Sequence, residues 1–325
     1  MNNYSFLQKK LHLFALSSKY LREAFFDFEQ VTTKTKSFED NHVFVVGLAR
    51  SGTTAVLNAI YQSNEFASLS YQDMPFILSP NLWKALSFSK KQTNLKERAH
   101  GDGIFINSSS PEAFEEVFWK TFDDKSIESH TKFKSYVNLI INKYNKSRYL
   151  SKNNQNIKRI NIVSSIFPKS KILIPFRDPI QHAFSLLSQH KKFINENDKD
   201  KFVGQYMKLI GHTEFGPNYR PLFSKESLYS DPFLINHWLE QWYFTYLHCL
   251  ENYSGYRNIS FLCYEDLCRS SEIWQELLIF LNIDVNHIFK FRESRKEIDF
   301  KIEKNLQKKC VELYQLLKLN SFNNG

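Results

Sequence analysis

Glycine and proline are scarce in this chain, with nine of each among 325 residues. This composition excludes a collagen-like or low-complexity protein, and it favours many helices because neither residue is well tolerated inside one. Hydrophobic residues make up 42% of the sequence and charged residues 24%, so the chain can bury an ordinary globular core. We expect one large core with additions at its ends.

Cysteine is also scarce, and its spacing disfavours two common uses. The four cysteines all lie in the last third of the chain, and no two of them form a CxxC pair. They are Cys249, Cys263, Cys268 and Cys310. A disulfide framework or a zinc site is therefore not expected, and a reducing compartment fits best. The start of the sequence lacks a signal-peptide pattern, and no segment reaches the roughly 18 apolar residues that span a bilayer. We therefore expect a cytoplasmic protein without a transmembrane segment.

Acidic residues are fewer than basic ones, and the formal net charge is +9. Such an excess attracts anionic partners, which could be a nucleic acid, a membrane surface or a multiply charged small molecule. Aromatic residues are abundant, and core packing explains them better than stacking on a ligand. Composition alone does not choose among the three kinds of partner.

Short apolar runs that alternate with helical patterns indicate the fold class. Residues 42–46 form a β-branched run without alternation, which is typical of a parallel strand buried on both faces. Further strands are predicted at 171–176 and 259–263, with Pro175 at a strand end or a bulge. The pattern predicts an α/β protein with a P-loop-like parallel β-sheet flanked by helices, in a single domain with helical additions.

Helical patterns and one irregular stretch complete the prediction. Helices are expected in residues 1–40 with a break at Ser18, and at 111–121, 131–146 and 233–252, whereas residues 191–230 are expected to be an irregular insertion. We divide the chain into an N-terminal helical extension (1–40), an α/β core (41–285) and a C-terminal basic loop and helix (286–325).

The first strand leads into a glycine loop, GLARSGTT at residues 47–54. Nucleoside-triphosphate loops have the pattern GxxxxGK[ST], in which backbone N–H groups cradle phosphates and the lysine reaches the outer oxygens. Gly47 and Gly52 have that spacing, but Thr53 stands at the lysine position and Arg50 supplies a cation earlier. The loop can hold a phosphate-like anion, yet without that lysine it disfavours ATP or GTP chemistry.

Four motifs resemble one enzyme family. RSGTT at 50–54 resembles the 5′-phosphosulfate loop of the sulfotransferases that use 3′-phosphoadenosine 5′-phosphosulfate (PAPS), in the arginine form of the tyrosylprotein and many bacterial enzymes. Arg177 and Ser185 resemble the family's 3′-phosphate motif, an arginine at a strand end and a serine in the next helix. YEDL at 264–267 and the run 148–171, similar to a stretch with a catalytic lysine, complete the set. The resemblance covers roughly residues 42–285.

The resemblance implies transfer of a sulfuryl group from PAPS to a hydroxyl of a glycan, lipid or small-molecule acceptor, giving adenosine 3′,5′-bisphosphate without a metal. Lys152 is the implied catalytic lysine, assisted by Arg50, and a solvated surface lysine is the alternative for Lys152. The resemblance implies that the following residues bind the donor, the last of them from a late basic loop: Arg50, Ser51, Gly52, Thr53, Thr54, Arg177, Ser185, Tyr264 and Arg295.

A general base must take the proton of the acceptor. The tyrosylprotein enzymes carry a glutamate where this chain has Tyr71, so Asp73, two residues on, is our choice, against the alternative that it only forms a turn. His100, beside Asp102 in a polar glycine-rich stretch, is the rival.

Two other functions remain open from the residues alone. A P-loop kinase or nucleotide-binding protein would share the loop, but it predicts a lysine at position 53 and dependence on a metal. A nucleic-acid-binding module should concentrate its lysines and arginines in a stripe, whereas here they are dispersed, so no nucleic-acid partner is expected. The pattern indicates neither the acceptor nor the oligomeric state.

Overall fold

A parallel sheet organises the chain in the computed structural model, which describes residues 5–35, 38–86, 96–97, 105–223, 228–284, 286–293 and 295–322. Its five strands have the order β2-β5-β1-β6-β7, and every pairing between neighbours is parallel. The carboxyl ends of all five strands therefore lie at one edge of the sheet, where ligands bind in folds of this kind. Numbered along the chain, the strands are β1 (Val43–Val45), β2 (Phe66–Ala67), the short antiparallel pair β3 (Lys96–Glu97) and β4 (Phe105–Ile106), β5 (Arg148–Lys152), β6 (Lys171–Phe176) and β7 (Ile259–Cys263).

Helices cover both faces of the sheet. Side chains alternate along a strand, so Phe44 packs into one apolar cluster while Val43 and Val45 pack into another. The described helices are α1 (Phe6–Ser17), α2 (Lys19–Thr32), α3 (Thr53–Tyr61), α4 (Pro80–Leu86), α5 (Glu116–Thr121), α6 (Ile127–Tyr144), α7 (Ile160–Ile166), α8 (Pro179–Lys199), α9 (Lys201–Leu209), α10 (Ile235–Tyr253), α11 (Tyr264–Arg269), α12 (Ser271–Phe280) and α13 (Lys304–Leu319).

The structure confirms the predicted α/β class and the strands near 42–46, 171–176 and 259–263. Pro175 is the penultimate residue of β6 and lies beyond Leu173, the last residue that pairs with β1, so β1 needs no donor from it. Residues 6–32 form two helices that meet at Ser18, whose side chain caps the second. Across the described ranges, no helix combines the length and apolar character needed to cross a membrane.

Two element predictions are wrong. Residues 111–115 are not helical, because the Glu112 N–H donates to the Leu69 carbonyl at 2.9 Å and Pro111 bridges to Ser70, which keeps this segment extended until α5 begins. Residues 191–199 and 201–209 are not irregular but belong to α8 and α9, because α8 continues a buried face to Phe193 and packs against α10.

A central strand was missed altogether. β5 lies between β1 and β2, but it contains Arg148, Ser151 and Lys152 and so lacks an apolar pattern. The Ser151 hydroxyl is nevertheless buried, since it donates to Glu115 at 2.5 Å. A tertiary hydrogen bond therefore stabilises a polar residue that periodicity assigns to the surface.

Candidate active site

The glycine loop crosses the carboxyl edge of the sheet between β1 and α3. Gly47 and Gly52 have φ values of +146° and +99°, and Arg50 adopts +69°. A Cβ atom on Gly52 would lie 2.3 Å from the ring of Tyr264, so the tyrosine closes the space behind the loop. The buried Thr53 and Thr54 open α3, whose N-terminal N–H groups and helix dipole favour an anion.

Two guanidinium groups reach the same edge from neighbouring strands. Arg50 Nε donates to Ser185 Oγ at 3.2 Å, so the loop after β1 contacts the helix after β6. Arg177 follows β6 directly, and Asp178 caps α8 through its Oδ1, which accepts from the Gln181 N–H at 2.9 Å. Two arginine forks and a hydroxyl beside a helix N-terminus suit a ligand that carries several anionic groups.

His182 of α8 supports the glycine loop through a hydrogen bond, a role that the sequence did not reveal. Its Nε2 lies 2.7 Å from the carbonyl of Ala49 in the loop. Burial, with a smaller contribution from the charges of Arg177 and Arg50, lowers the pKa of His182 to about 3. The imidazole is therefore neutral at physiological pH and donates its proton to the carbonyl.

Tyr264 lies against Gly52 of the glycine loop, and the basic segment after α12 contacts Tyr264 and α8. The Tyr264 hydroxyl donates to the Arg292 carbonyl at 3.2 Å. The Gln181 side chain donates to the Lys296 carbonyl and accepts from its N–H, both at 3.0 Å. The segment is thus fastened to the first turn of α8, while the Arg295 side chain is exposed and contacts Glu293 at 2.7 Å.

A carboxylate and a lysine meet at the end of β5. Lys152 is opposite Val45 in the register, immediately before the glycine loop, and its Nζ lies 3.8 Å from Glu112 Oε1. Glu112 accepts from the Tyr71 hydroxyl at 2.9 Å and from the Ala113 N–H at 2.9 Å. Only 9% of the Lys152 side chain is exposed, so the structure excludes the solvated-lysine alternative.

Asp73 lies in an environment that disfavours the role of general base predicted for it. The residue is fully buried and forms a close ion pair with Lys143. Its Oδ2 also accepts from the Ser70 N–H and the Tyr144 hydroxyl, each at 2.7 Å. These donors stabilise the carboxylate in the interior of the protein.

The other candidates are placed as follows. His100 and Asp102 lie outside the described residues. Glu112, which the sequence analysis took for part of a helix start, was missed as a site residue. Pro111 alone could have indicated an extended segment there, but nothing in the sequence pairs Glu112 with Lys152.

Comparison with known proteins identifies the family of the chain. A model of the sulfotransferase family matches residues 42–214, more than half of the chain. The chain therefore belongs to the sulfotransferase family, and it is a transferase of sulfuryl groups. No curated protein sequence gives a significant match.

Solved structures with a similar arrangement are bacterial sulfotransferases. STF1 from Mycobacterium tuberculosis H37Rv is 13% identical, with 94% of this chain and 81% of that one covered and a TM-score of 0.47. STF9 from Mycobacterium avium is 11% identical, with 97% and 79% covered and a TM-score of 0.45. A sulfotransferase from Alicyclobacillus acidocaldarius is 14% identical, with 85% and 92% covered and a TM-score of 0.37.

Proposed function

We propose that the protein transfers the sulfuryl group of PAPS to a hydroxyl of a glycan, lipid or small-molecule acceptor and releases adenosine 3′,5′-bisphosphate. The observation that carries the proposal is the contact between Arg50 and Ser185, which joins the loop after β1 to the helix after β6. PAPS has anionic groups on both its 5′ and 3′ sides, so a joined pair of anion sites suits it.

Each part of the edge has a role in holding the donor. The N–H groups of the loop and of α3, with Arg50, Ser51 and the two threonines, hold the 5′-phosphosulfate. Arg177 and Ser185 hold the 3′-phosphate through a charged fork and a hydroxyl. Tyr264, packed on Gly52, borders the adenosine, and the segment of Arg295 covers the 3′-phosphate end.

The transfer itself forms a bond between the acceptor oxygen and sulfur while the bond from sulfur to the bridging phosphate oxygen breaks. Negative charge develops on the departing bisphosphate, and Arg50 and Lys152 stabilise it electrostatically. The adjacency of Lys152 to the start of the loop supports this role. Positioning and electrostatics do the work, as they do in phosphoryl transfer.

Glu112 takes the proton of the acceptor hydroxyl in this proposal, in place of Asp73. Its carboxylate lies beside Lys152, and the Tyr71 hydroxyl donates to it. A general base must lie close to the reacting groups, and the position of Glu112 next to the proposed catalytic lysine supports this role. His100 remains the rival base.

Calorimetric titration tests the proposal with three ligands: adenosine 3′,5′-bisphosphate, ATP with Mg²⁺, and a DNA duplex. We expect micromolar affinity for the bisphosphate, loss of that affinity in Arg177→Ala, and no change in Arg257→Ala, whose exposed side chain precedes β7 at the opposite sheet edge. Binding of ATP with Mg²⁺ but not of the bisphosphate would overturn the proposal in favour of a nucleotide-binding protein.

A further inference from the structure

Glu265 is a buried carboxylate that the proposed chemistry does not use. It lies in the first turn of α11 and is 4% exposed. Its Oε1 accepts from the N–H of Asp178 at 2.9 Å, and its Oε2 accepts from the hydroxyl of Tyr314 at 3.3 Å. Asp178 directly follows Arg177. The Glu265 side chain therefore connects three parts of the fold: α11, the junction between β6 and α8, and the C-terminal helix α13.

We propose that Glu265 and Tyr314 are positioning residues that hold Arg177 in place for the 3′-phosphate of the donor. Tyr314 belongs to α13, which lies outside the stretch 42–214 that matches the family. The C-terminal helix is in that case part of the donor site rather than an addition to it. The inference rests on the proposed function for the identity of the ligand.

The backbone around Arg177 shows how the positioning works. On one side, Phe176 is held in the sheet opposite Cys263 of β7. On the other side, the Asp178 N–H is held by Glu265. Arg177 is the one residue between these two fixed points, so its backbone has little freedom and its guanidinium loses less entropy when it binds a phosphate.

Tyr314 matters because a buried carboxylate needs its hydrogen bonds. Without the hydroxyl, Glu265 Oε2 keeps only the weak donor Cys263 Sγ, at 3.5 Å, among the contacts described for it. A buried carboxylate that has lost one of its hydrogen bonds rotates towards other donors, and its hydrogen bond with the Asp178 N–H weakens. Removing the Tyr314 hydroxyl therefore weakens the positioning of Arg177, although Arg177 lies at a distance from the substitution.

The docking of α13 does not depend on this hydroxyl. Its buried face consists of Leu306, Cys310, Leu313 and Leu317. The ring of Tyr314 also packs against Phe176 with centroids 5.8 Å apart, and phenylalanine would preserve that contact. Tyr314→Phe therefore removes the hydrogen bond and leaves the helix in place.

The test measures donor binding in the full chain, by calorimetry with adenosine 3′,5′-bisphosphate and by steady-state kinetics with PAPS. In Tyr314→Phe we expect Kd and the KM for PAPS to rise about threefold to tenfold, the loss of one hydrogen bond, while kcat is unchanged. Glu265→Gln keeps an acceptor for Asp178 and should show a smaller rise, whereas Glu265→Ala should show a larger one.

Lys318→Met is the matched control. It removes another polar contact of α13 with α11, the 3.0 Å pair with Asp266, without touching Asp178. We expect its Kd to equal that of the unaltered protein. If Tyr314→Phe and Glu265→Gln fold and also bind the bisphosphate with unaltered affinity, while Arg177→Ala abolishes binding, the inference is overturned and the proposed function stands. If the unaltered protein does not bind the bisphosphate, the proposed function itself fails.

Discussion

Among the described residues, two pairs of a carboxylate and a lysine are buried, and they differ in how completely they are enclosed. Asp73 and Lys143 form a close ion pair with 0% and 5% of their side chains exposed, and Ser70 and Tyr144 add further donors to the carboxylate. Glu112 and Lys152 are 3.8 Å apart, with 7% and 9% exposed, at the end of a central strand.

The difference supports our proposal that the pair of Glu112 and Lys152 takes part in the chemistry. A carboxylate enclosed by an ammonium group and strong donors holds the structure together, because releasing any partner leaves a buried charge. The other pair lies at the end of β5, next to the glycine loop, where we propose that the donor binds. Residue type and sequence position led us to Asp73, whereas enclosure and location favour Glu112.

The strongest test of this comparison replaces each carboxylate by the corresponding amide. Glu112→Gln should lower turnover about 10²- to 10⁴-fold by removing the base, with the affinity for adenosine 3′,5′-bisphosphate unchanged. Turnover is measured on the best acceptor from a panel of glycans, lipids and phenols. Glu276→Gln, on the exposed side of α12, is the control. Retained turnover in Glu112→Gln together with its loss in His100→Ala would transfer the role to His100.

Asp73→Asn should act on stability instead. It leaves Lys143 buried without its counter-charge, and we expect the free energy of unfolding to fall by about 3–5 kcal/mol, measured by urea denaturation. Turnover per folded molecule should be unchanged, and adding Lys143→Met should restore part of the stability. An unaltered unfolding midpoint combined with lost turnover would contradict our assignment.

His182 extends the comparison to a buried group without charge. Because burial lowers its pKa from 6.5 to about 3, the unfolded chain binds a proton between these values that the folded chain does not. Stability from this group is therefore present above pH 6.5 and is lost as the pH falls towards 3, by about 1.4 kcal/mol per unit. Urea denaturation at pH 7, 6 and 5 should show a shallower loss in His182→Gln than in the unaltered protein. Parallel profiles would contradict the prediction.

The smallest expected effect comes from the two tyrosines, one on each carboxylate. Tyr71→Phe removes the hydroxyl that orients Glu112 and should lower turnover about threefold to tenfold. Tyr144→Phe removes a donor to Asp73 and should lower the free energy of unfolding by about 1 kcal/mol with turnover unchanged. Both variants are assayed for turnover and for stability in urea. If Tyr144→Phe lowered turnover and Tyr71→Phe lowered only the stability, our assignment of the two pairs would be reversed.

Donor-side features were predictable because they are local. The glycine loop, the strand-end arginine and the serine eight residues later each lie within a single strand–helix unit, where spacing fixes geometry. The three apolar strands were predictable for the same reason. The binding roles of these residues, and the division at residues 40 and 285, remain predictions.

The acceptor side that we propose was predictable only in part, because it combines distant segments: the resemblance indicated Lys152, but no pattern placed Glu112 beside it. Glu112, Lys152 and Tyr71 come from three separate parts of the chain, and β5 contains polar residues that only tertiary hydrogen bonds can bury. The same holds for Glu265, whose side chain contacts Tyr314 and, 87 positions away in sequence, the N–H of Asp178.

The sequence by itself determined a parallel α/β sheet, an anion-binding loop that lacks the lysine of a kinase, and membership of a sulfotransferase-like class. Local spacing and apolar periodicity suffice for the sheet and the loop, since both depend on neighbours along the chain, whereas membership of the class rests on the resemblance of four motifs. The tertiary structure decided which carboxylate is enclosed and which lies beside Lys152, and it linked Tyr314 of the C-terminal helix through Glu265 to Asp178, the residue after Arg177. Burial and hydrogen bonding between segments that are remote in sequence determine these features, so no local pattern in the sequence predicts them.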